Sequence, residues 1–422
     1  MNGAIKYPVS EGVNLYYIPA KRFKTVDIDV MFFSPLSEKN ASMTALITPV
    51  LKSGCENYED AAKLNTRLEE LYGASLSACA AKMCEATVAR FSMQYVNEKY
   101  LEEKGVDEAA LSLLCDVIFK PVTENGAFKK EYFELERKNL IESIESVIND
   151  KRTYAAWRCK EEMCKNEPYG VFSQGKISVI KEITPEAAFD YYKNEMLCGK
   201  CDIYVCGDVD IDKTFGIIKS RFVGKHCADY PKTTVITDCK EPKRITEKMD
   251  VEQGKLSLGF RCGEISCQKD YFALYMFDKI FGGTPVSKLF NNVREKLSLA
   301  YYVSSQTDKL KGIMTINSGI EIPTFQAAYD EIFVQLEAMK KGDFTEDEQA
   351  AAQAASVNEI ENIKDSPSAI IRYYASQIFS GMNLDPEEYL EGIKAAGREQ
   401  IIDAANKIKL DTVYFLRNEE AE

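Results

Sequence analysis

The sequence predicts an α+β protein of two homologous domains, each an antiparallel sheet with helices packed on one face. Three observations lead there. The chain has 422 residues, past the size at which a single hydrophobic core stops growing. Its order of elements repeats once along the chain. Its strand-like segments mostly alternate polar and apolar residues without clean βαβ runs, which favours antiparallel pairing over a doubly wound sheet.

In chain order, VDIDVMFF (residues 26–33) alternates and reads as a strand. ASMTALITPVLKSG follows as a helix closed at Gly54. LNTRLEELYGASLSA then reads as a helix running into another strand. The same order returns from residue 255. KLSLGFRC is a strand, YFALYMFDKIFGG an apolar helix closed by Gly282 and Gly283, and VSKLFNNVREKLSLAYYVSSQ a helix running into a strand. Leu64 and Leu68 correspond to Leu289 and Val293. Each copy ends on a strand that follows a helix: IYVCGDVD after Lys200-Cys201-Asp202, and TVYFLRNEE after Lys409-Leu410-Asp411. The repeat sets domains at 1–222 and 247–422, each near the ~200 residues a single domain accommodates. A linker at 223–246 joins them, where GKHCADYPKTTVITDCKEPKR is polar and carries two prolines.

Within the copies, Leu140, Ile144, Val147 and Ile148 recur at helical spacing and predict an amphipathic stripe. Thr184-Pro185 reads as an N-cap followed by a first-turn proline. Thr345 and Glu348 make a capping box.

Composition excludes several functions. The formal net charge is −13, and the lysines and arginines form no stripe, so neither a nucleic acid nor an anionic membrane surface is an expected partner. No apolar run reaches the ~18 residues of a membrane span, and the N-terminus lacks a basic start followed by an apolar stretch. The thirteen cysteines, an odd number, read as reduced thiols in a cytoplasm. Cys198 and Cys201 form a CxxC, and Cys262 and Cys267 a looser pair; buried or inert thiols outrank a metal site for both. The sequence has one histidine, His226, which reads as a solvated loop residue. One histidine cannot supply the two or three that a catalytic zinc usually takes.

The repeat and several motifs together resemble one family. SKLFNNVREKLSLAYYVSS is similar to the second-domain signature of insulinase/pitrilysin-type (inverzincin) peptidases and of mitochondrial processing peptidase. IYVCGDVD and EPYGVFSQGKISVIKEITPEAAFDYY resemble the end of the family's first domain. LKSGCENYEDAAKLNTRLEELYGASLSA resembles the bacterial zinc-lacking branch associated with 5-aminopentanol modification of elongation factor P. The likeness covers nearly the whole chain and implies two α+β domains. It also implies an HxxEH helix in the first domain, with two histidines one turn apart on zinc and the glutamate polarising the bound water. Counted back from Gly54, those positions hold Ala45, Thr48 and Pro49. The family's further glutamate ligand falls at or beside Ser143, with Glu142 adjacent. No cofactor is therefore expected on this chain. In active relatives an arginine and a tyrosine of the second domain reach the substrate, and here they are Arg294 and Tyr301. The same two side chains admit ordinary roles: Arg294 pairing with Glu295 or Asp278, and Tyr301 as a strand residue beside Tyr302.

Two functions fit. In the first, the chain is the non-catalytic, substrate-binding subunit of a heterodimeric zinc peptidase. An HxxEH-bearing partner holds the zinc, Arg294 and Tyr301 bind the peptide, and an extended peptide adds to a sheet edge. In the second, it is a scaffold or peptide-binding protein with no part in proteolysis. Homodimers and heterodimers look alike from one chain.

Overall fold

A computed structural model describes residues 3–238 and 241–419, so residues 239 and 240 of the expected linker lie outside the described residues. The first unit holds β1 (Ile5–Ser10), β2 (Val13–Pro19), β3 (Thr25–Pro35), β4 (Ser75–Met83), β5 (Ala86–Val96), the short hairpin β6 (Thr123–Glu124) and β7 (Ala127–Phe128), and β8 (Lys200–Gly207). Its main sheet runs in the order β1-β2-β8-β3-β5-β4. Every pair in it is antiparallel except β2 with β8. The second unit holds β9 (Lys243–Lys248), β10 (Gly254–Arg261), β11 (Ala300–Asp308), β12 (Ile313–Ile320) and β13 (Lys409–Arg417), in the order β11-β12-β10-β13-β9. Here too one pair is parallel, β13 with β9. With β1 set aside, the two sheets have the same order and the same parallel pair. The repeat seen in the sequence is thus a repeat of topology, with β3, β4 and β8 matching β10, β11 and β13.

Alternation along β3 sends Val26, Ile28, Val30 and Phe32 into a core shared with helices Glu38–Lys52 and Val106–Phe119. Met31 and Phe33 point the other way, into a second apolar layer with Ile370, Ile371 and Tyr374 of helix Pro367–Phe379. The second sheet behaves alike. Its strands pack on one side with helices such as Gln268–Phe281, while Ala155 and Cys159 of helix Lys151–Met163 bury Tyr414 and Leu416 on the other. Gly259 permits this approach, since a Cβ there would lie 2.6 Å from the Met163 sulfur.

Among the described residues, each sheet therefore has several helices on one face and a single helix on the other. The lone helix comes from outside the linear span expected for that domain. The compact units are residues 1–145, 171–232 and 363–385, and residues 146–170, 233–362 and 386–422. They cross the boundaries at 222 and 247. The physical reason is that both faces of each sheet are apolar, and an uncovered second face would expose that surface to water.

Local signals mostly hold. Thr184 accepts the Ala187 N–H with Pro185 in the first turn, and Thr345 and Glu348 cap each other's N–H groups. The stripe through Val147 and Ile148 does not. The α-helix stops at Ser146 and Ile148 is exposed, because the chain tightens over Val147–Asn149 before Asp150 caps the next helix. No helix among the described residues is long and apolar enough to cross a membrane.

Candidate functional site

The segment from Thr284 to Tyr301 carries the Arg294/Tyr301 pair. Leu289 and Val293 are fully buried and fix its inner face. The turn Phe290–Lys296 is π-helical, a form concentrated at functional sites. Asn292 holds it, donating to the Lys288 carbonyl (2.9 Å) and to Gln335 (3.2 Å). Ser298 then adopts φ +51°, a left-handed conformation that costs a serine about 1 kcal/mol. Its N–H reaches the Arg294 carbonyl at 3.0 Å, while Leu299 N–H reaches the Val293 carbonyl at 2.9 Å. The chain enters β11 with a shift of register between Ala300 and Tyr302. Tyr301 is the extra residue of this bulge, a device that re-aims a side chain and terminates pairing. β11 is an edge strand, and Tyr301 at the bulge is exposed.

Both side chains of the pair are accessible. The Arg294 side chain is 43% exposed, with Nε 3.3 Å from Glu295 Oε1 and its guanidinium 4.7 Å above the Phe290 ring. The expected alternative partner Asp278 is engaged elsewhere, by the hydroxyls of Ser305 and Thr307, and burial pushes its carboxyl up. Tyr301 is 52% exposed and donates its hydroxyl to Glu321. That hydrogen bond and the carboxylate's charge raise the phenol above its ordinary pKa, so at neutral pH it keeps its proton and remains a donor.

The positions of the inverted zinc motif lie in helix Glu38–Lys52. Ala45 offers a methyl group. Thr48 is fully buried and its hydroxyl donates to the Thr44 carbonyl at 2.9 Å. Pro49 sits inside the helix, where it has no N–H to return to the turn before it. Ser143 is exposed on helix Lys130–Ser146 and takes a hydrogen bond from Gln174 at 3.2 Å. The neighbouring Glu142 is exposed 3.8 Å from Lys138. A methyl, an intrahelical hydroxyl and a ring imide do not fit a zinc ion. Among the described residues, no group of three or more His, Cys, Asp and Glu side chains is placed to hold one.

The other residues singled out in the sequence separate. His226 is packed rather than solvated: its Nδ1 lies 3.3 Å from the Gly199 carbonyl, and burial holds its pKa below the ordinary value. Cys201 is fully buried while Cys198 is half-buried, so the CxxC is not an accessible pair. Cys262 and Cys267 line a cavity of about 380 Å³ with Lys269, Asp270 and Lys407. The sequence reading missed Glu321, the bulge and the left-handed Ser298. The bulge follows from strand register, which leaves no local signature in LSLAYYV, whereas Ser298 stands at the repeat position of Gly73, which is also left-handed.

A family profile described as "Peptidase M16 inactive domain" matches residues 182–356. The "Probable inactive metalloprotease YmfF" of Bacillus subtilis (strain 168) is 34% identical over 97% of this chain and 96% of its own length. The crystal structure of a conserved protein from Enterococcus faecalis V583 aligns with a TM-score of 0.92 at 30% identity, covering 100% of both chains. A structure described as a peptidase M16 inactive domain from Pseudomonas fluorescens aligns at 0.82 with 17% identity, over 100% of this chain and 99% of that one. This last likeness concerns the fold.

Proposed function

We propose a function from one premise: the chain belongs to the M16 (insulinase/pitrilysin-type) peptidase family and is an inactive, non-catalytic member of it. It acts as the substrate-binding subunit of a heterodimeric zinc peptidase in the cytoplasm. An HxxEH-bearing M16 chain supplies zinc, water and general base, and this chain lends Arg294 and Tyr301. The observation that carries the reading is the contrast between two sites. Ala45, Thr48 and Pro49 bear no ligand, whereas Arg294 and Tyr301 are exposed beside a bulged edge strand.

The chemistry assigned to the pair follows from its donors. The Arg294 guanidinium presents a planar fork to a peptide carbonyl or carboxylate. The Tyr301 hydroxyl, still protonated at neutral pH, donates to the oxyanion that forms when water attacks the scissile carbonyl. To do so it exchanges Glu321 for substrate. Apart from Ser305, whose N–H donates to the Gly282 carbonyl at 3.0 Å, the outer edge of β11 offers an extended peptide main-chain hydrogen bonds. The scaffold reading keeps one supporting observation: Glu295 and Glu321 already engage the pair within the chain.

The test is reconstitution. The chain is mixed with the product of a neighbouring HxxEH-bearing gene and peptide cleavage is followed. Activity from the mixture and little from either chain alone supports the proposal. A second chain that cleaves equally well without this one overturns it in favour of the scaffold.

A further inference from the structure

We propose that Cys198 and Cys227 form a thiol-oxidation site, which a small disulfide converts into an intramolecular disulfide. In the sequence Cys198 is paired with Cys201, but the fold buries Cys201 within β8 and gives Cys198 another neighbour. The Cys227 N–H donates to the Cys198 carbonyl at 2.9 Å. With the fixed lengths of the peptide unit, this bond limits the two Cα atoms to a separation of at most ~6.8 Å. Disulfides span Cα separations of ~4.4–6.8 Å. Both thiols are free; Cys227 is exposed and Cys198 half-exposed.

The approach is built into the fold. Gly12, at φ +75°, lies against this segment, and a Cβ there would sit 2.3 Å from the Cys227 carbonyl oxygen. His226 contacts the Gly199 carbonyl at 3.3 Å. Tyr230 donates to the buried Asp202 and packs on Phe33 and Phe379, each at 5.0 Å between ring centroids. The stretch 224–230 is thus pinned beside the start of β8. Cys198 Sγ lies 3.5 Å from the Lys193 carbonyl, and forming the bridge requires it to leave that contact by rotation about χ1.

The reaction needs a low-molecular-weight disulfide, RSSR. The thiolate of the exposed Cys227 attacks one sulfur, forming a Cys227–S–S–R bond and expelling RS⁻. The Cys198 thiolate attacks the Cys227 sulfur and expels the second RS⁻. Two cysteine thiols are oxidised to one disulfide, RSSR is reduced to two RSH, and the two thiol protons end on them. The bridge closes a loop of about 30 residues and fixes 224–232, the last stretch before the chain leaves the first unit, to the entry of β8.

The full-length reduced protein is incubated with oxidised glutathione, free thiols are alkylated in acid denaturant, and tryptic peptides are analysed by mass. The expected product is NEMLCGK joined to HCADYPK, two hydrogens lighter than the pair. Trypsin cleaves after Lys200, so this product separates Cys198 from Cys201. Cys198→Ser should leave Cys227 as a stable glutathione adduct, and the oxidised wild type should melt a few degrees above the reduced protein. A glutathione adduct on Cys227 in the wild type without the cross-link, a link from Cys198 to Cys201, or an oxidised form that melts lower overturns the site. None of these outcomes depends on peptidase activity.

Discussion

Residues 61–76 and 286–301 are the same element in the two halves, and they differ where the second half carries its Arg/Tyr pair. In both, two apolar residues anchor a helix: Leu64 and Leu68 in one, Leu289 and Val293 in the other, all buried. In the first half the helix Ala61–Glu70 is regular, and β4 pairs with β5 without a shift. In the second the turn Phe290–Lys296 is π-helical and β11 enters with a bulge at Tyr301, while the left-handed residue after the helix is common to both halves, Gly73 in one and Ser298 in the other. Equal burial has been kept with unequal backbone. The irregular geometry turns a tyrosine to solvent at a sheet edge, which regular pairing would hold in the strand's alternation.

The exchanged segments make a second comparison. Residues 363–385 are held on the first sheet by Ile370, Ile371, Tyr374 and Phe379, an apolar contact. Residues 146–170 are held on the second sheet by apolar contacts of Ala155, Cys159 and Met163 and, in addition, by charge. Buried Glu167 receives Arg261 at 2.6 Å and Lys311 at 2.6 Å, and Arg261 also meets Asp411 at 2.9 Å. Tyr154 and Tyr414 both donate to Glu247.

The largest expected effect breaks that second contrast. Glu167→Ala removes the carboxylate that buried Arg261 and Lys311 share, leaving Arg261 with Asp411, and should cost about 3–5 kcal/mol. Trp157, the single tryptophan, lies in the exchanged helix and reports the loss in a urea titration. A cost under about 1 kcal/mol would show that packing, not charge, holds 146–170.

In the reconstituted peptidase, Arg294→Ala and Tyr301→Phe should each lower kcat/KM by about 10²-fold without dissolving the complex. Thr48→Val, in the helix that lacks ligands, should change kcat/KM little. Equal losses from Thr48→Val and Tyr301→Phe would erase the functional difference between the halves.

Glu167 and Asp27, one in each unit, should answer pH with opposite signs. Burial raises the Glu167 carboxyl, but hydrogen bonds from Arg261 and Lys311 outweigh it and hold the group below its ordinary range. Its stabilisation is therefore present above the ordinary value and lost as pH falls through the lowered one. In the first unit, burial pushes Asp27 up to about 6, against a hydrogen bond from Gln94. That carboxyl binds its proton more tightly folded than unfolded, so its own contribution to stability falls as pH rises from about 4 to 6. Asp27→Asn should stabilise by about 2 kcal/mol at pH 8 and by little at pH 4, as read from melts at the two pH values. A gain of the same size at both would remove Asp27's titration from the contrast.

The smallest effect tests the strained turn. Ser298→Gly relieves the left-handed conformation but loosens the unfolded chain, for a net change within about 1 kcal/mol. Ser298→Val should destabilise by about 1–2 kcal/mol. A tolerated valine would mean that the turn is not held at that φ.

The fold class and its repeat were legible in the sequence because hydrophobic alternation and helix caps are local. VDIDVMFF and KLSLGFRC carry the period of a strand, and Thr184-Pro185 and Thr345/Glu348 carry the chemistry of a helix start. That the chain cannot carry two histidines of an HxxEH motif was legible because a single histidine is a count. Pairing register was not legible, so the bulge that exposes Tyr301 and the Glu321 that meets it could not be read. The exchange of 146–170 and 363–385 was hidden for the same reason. An amphipathic helix advertises that it must bury one face, but its sequence does not say against which sheet. By itself the sequence determined what each segment is and which half lacks its ligands. The tertiary structure decided which segments meet, because burial rewards any apolar surface that closes over another, however far apart the two lie in the chain.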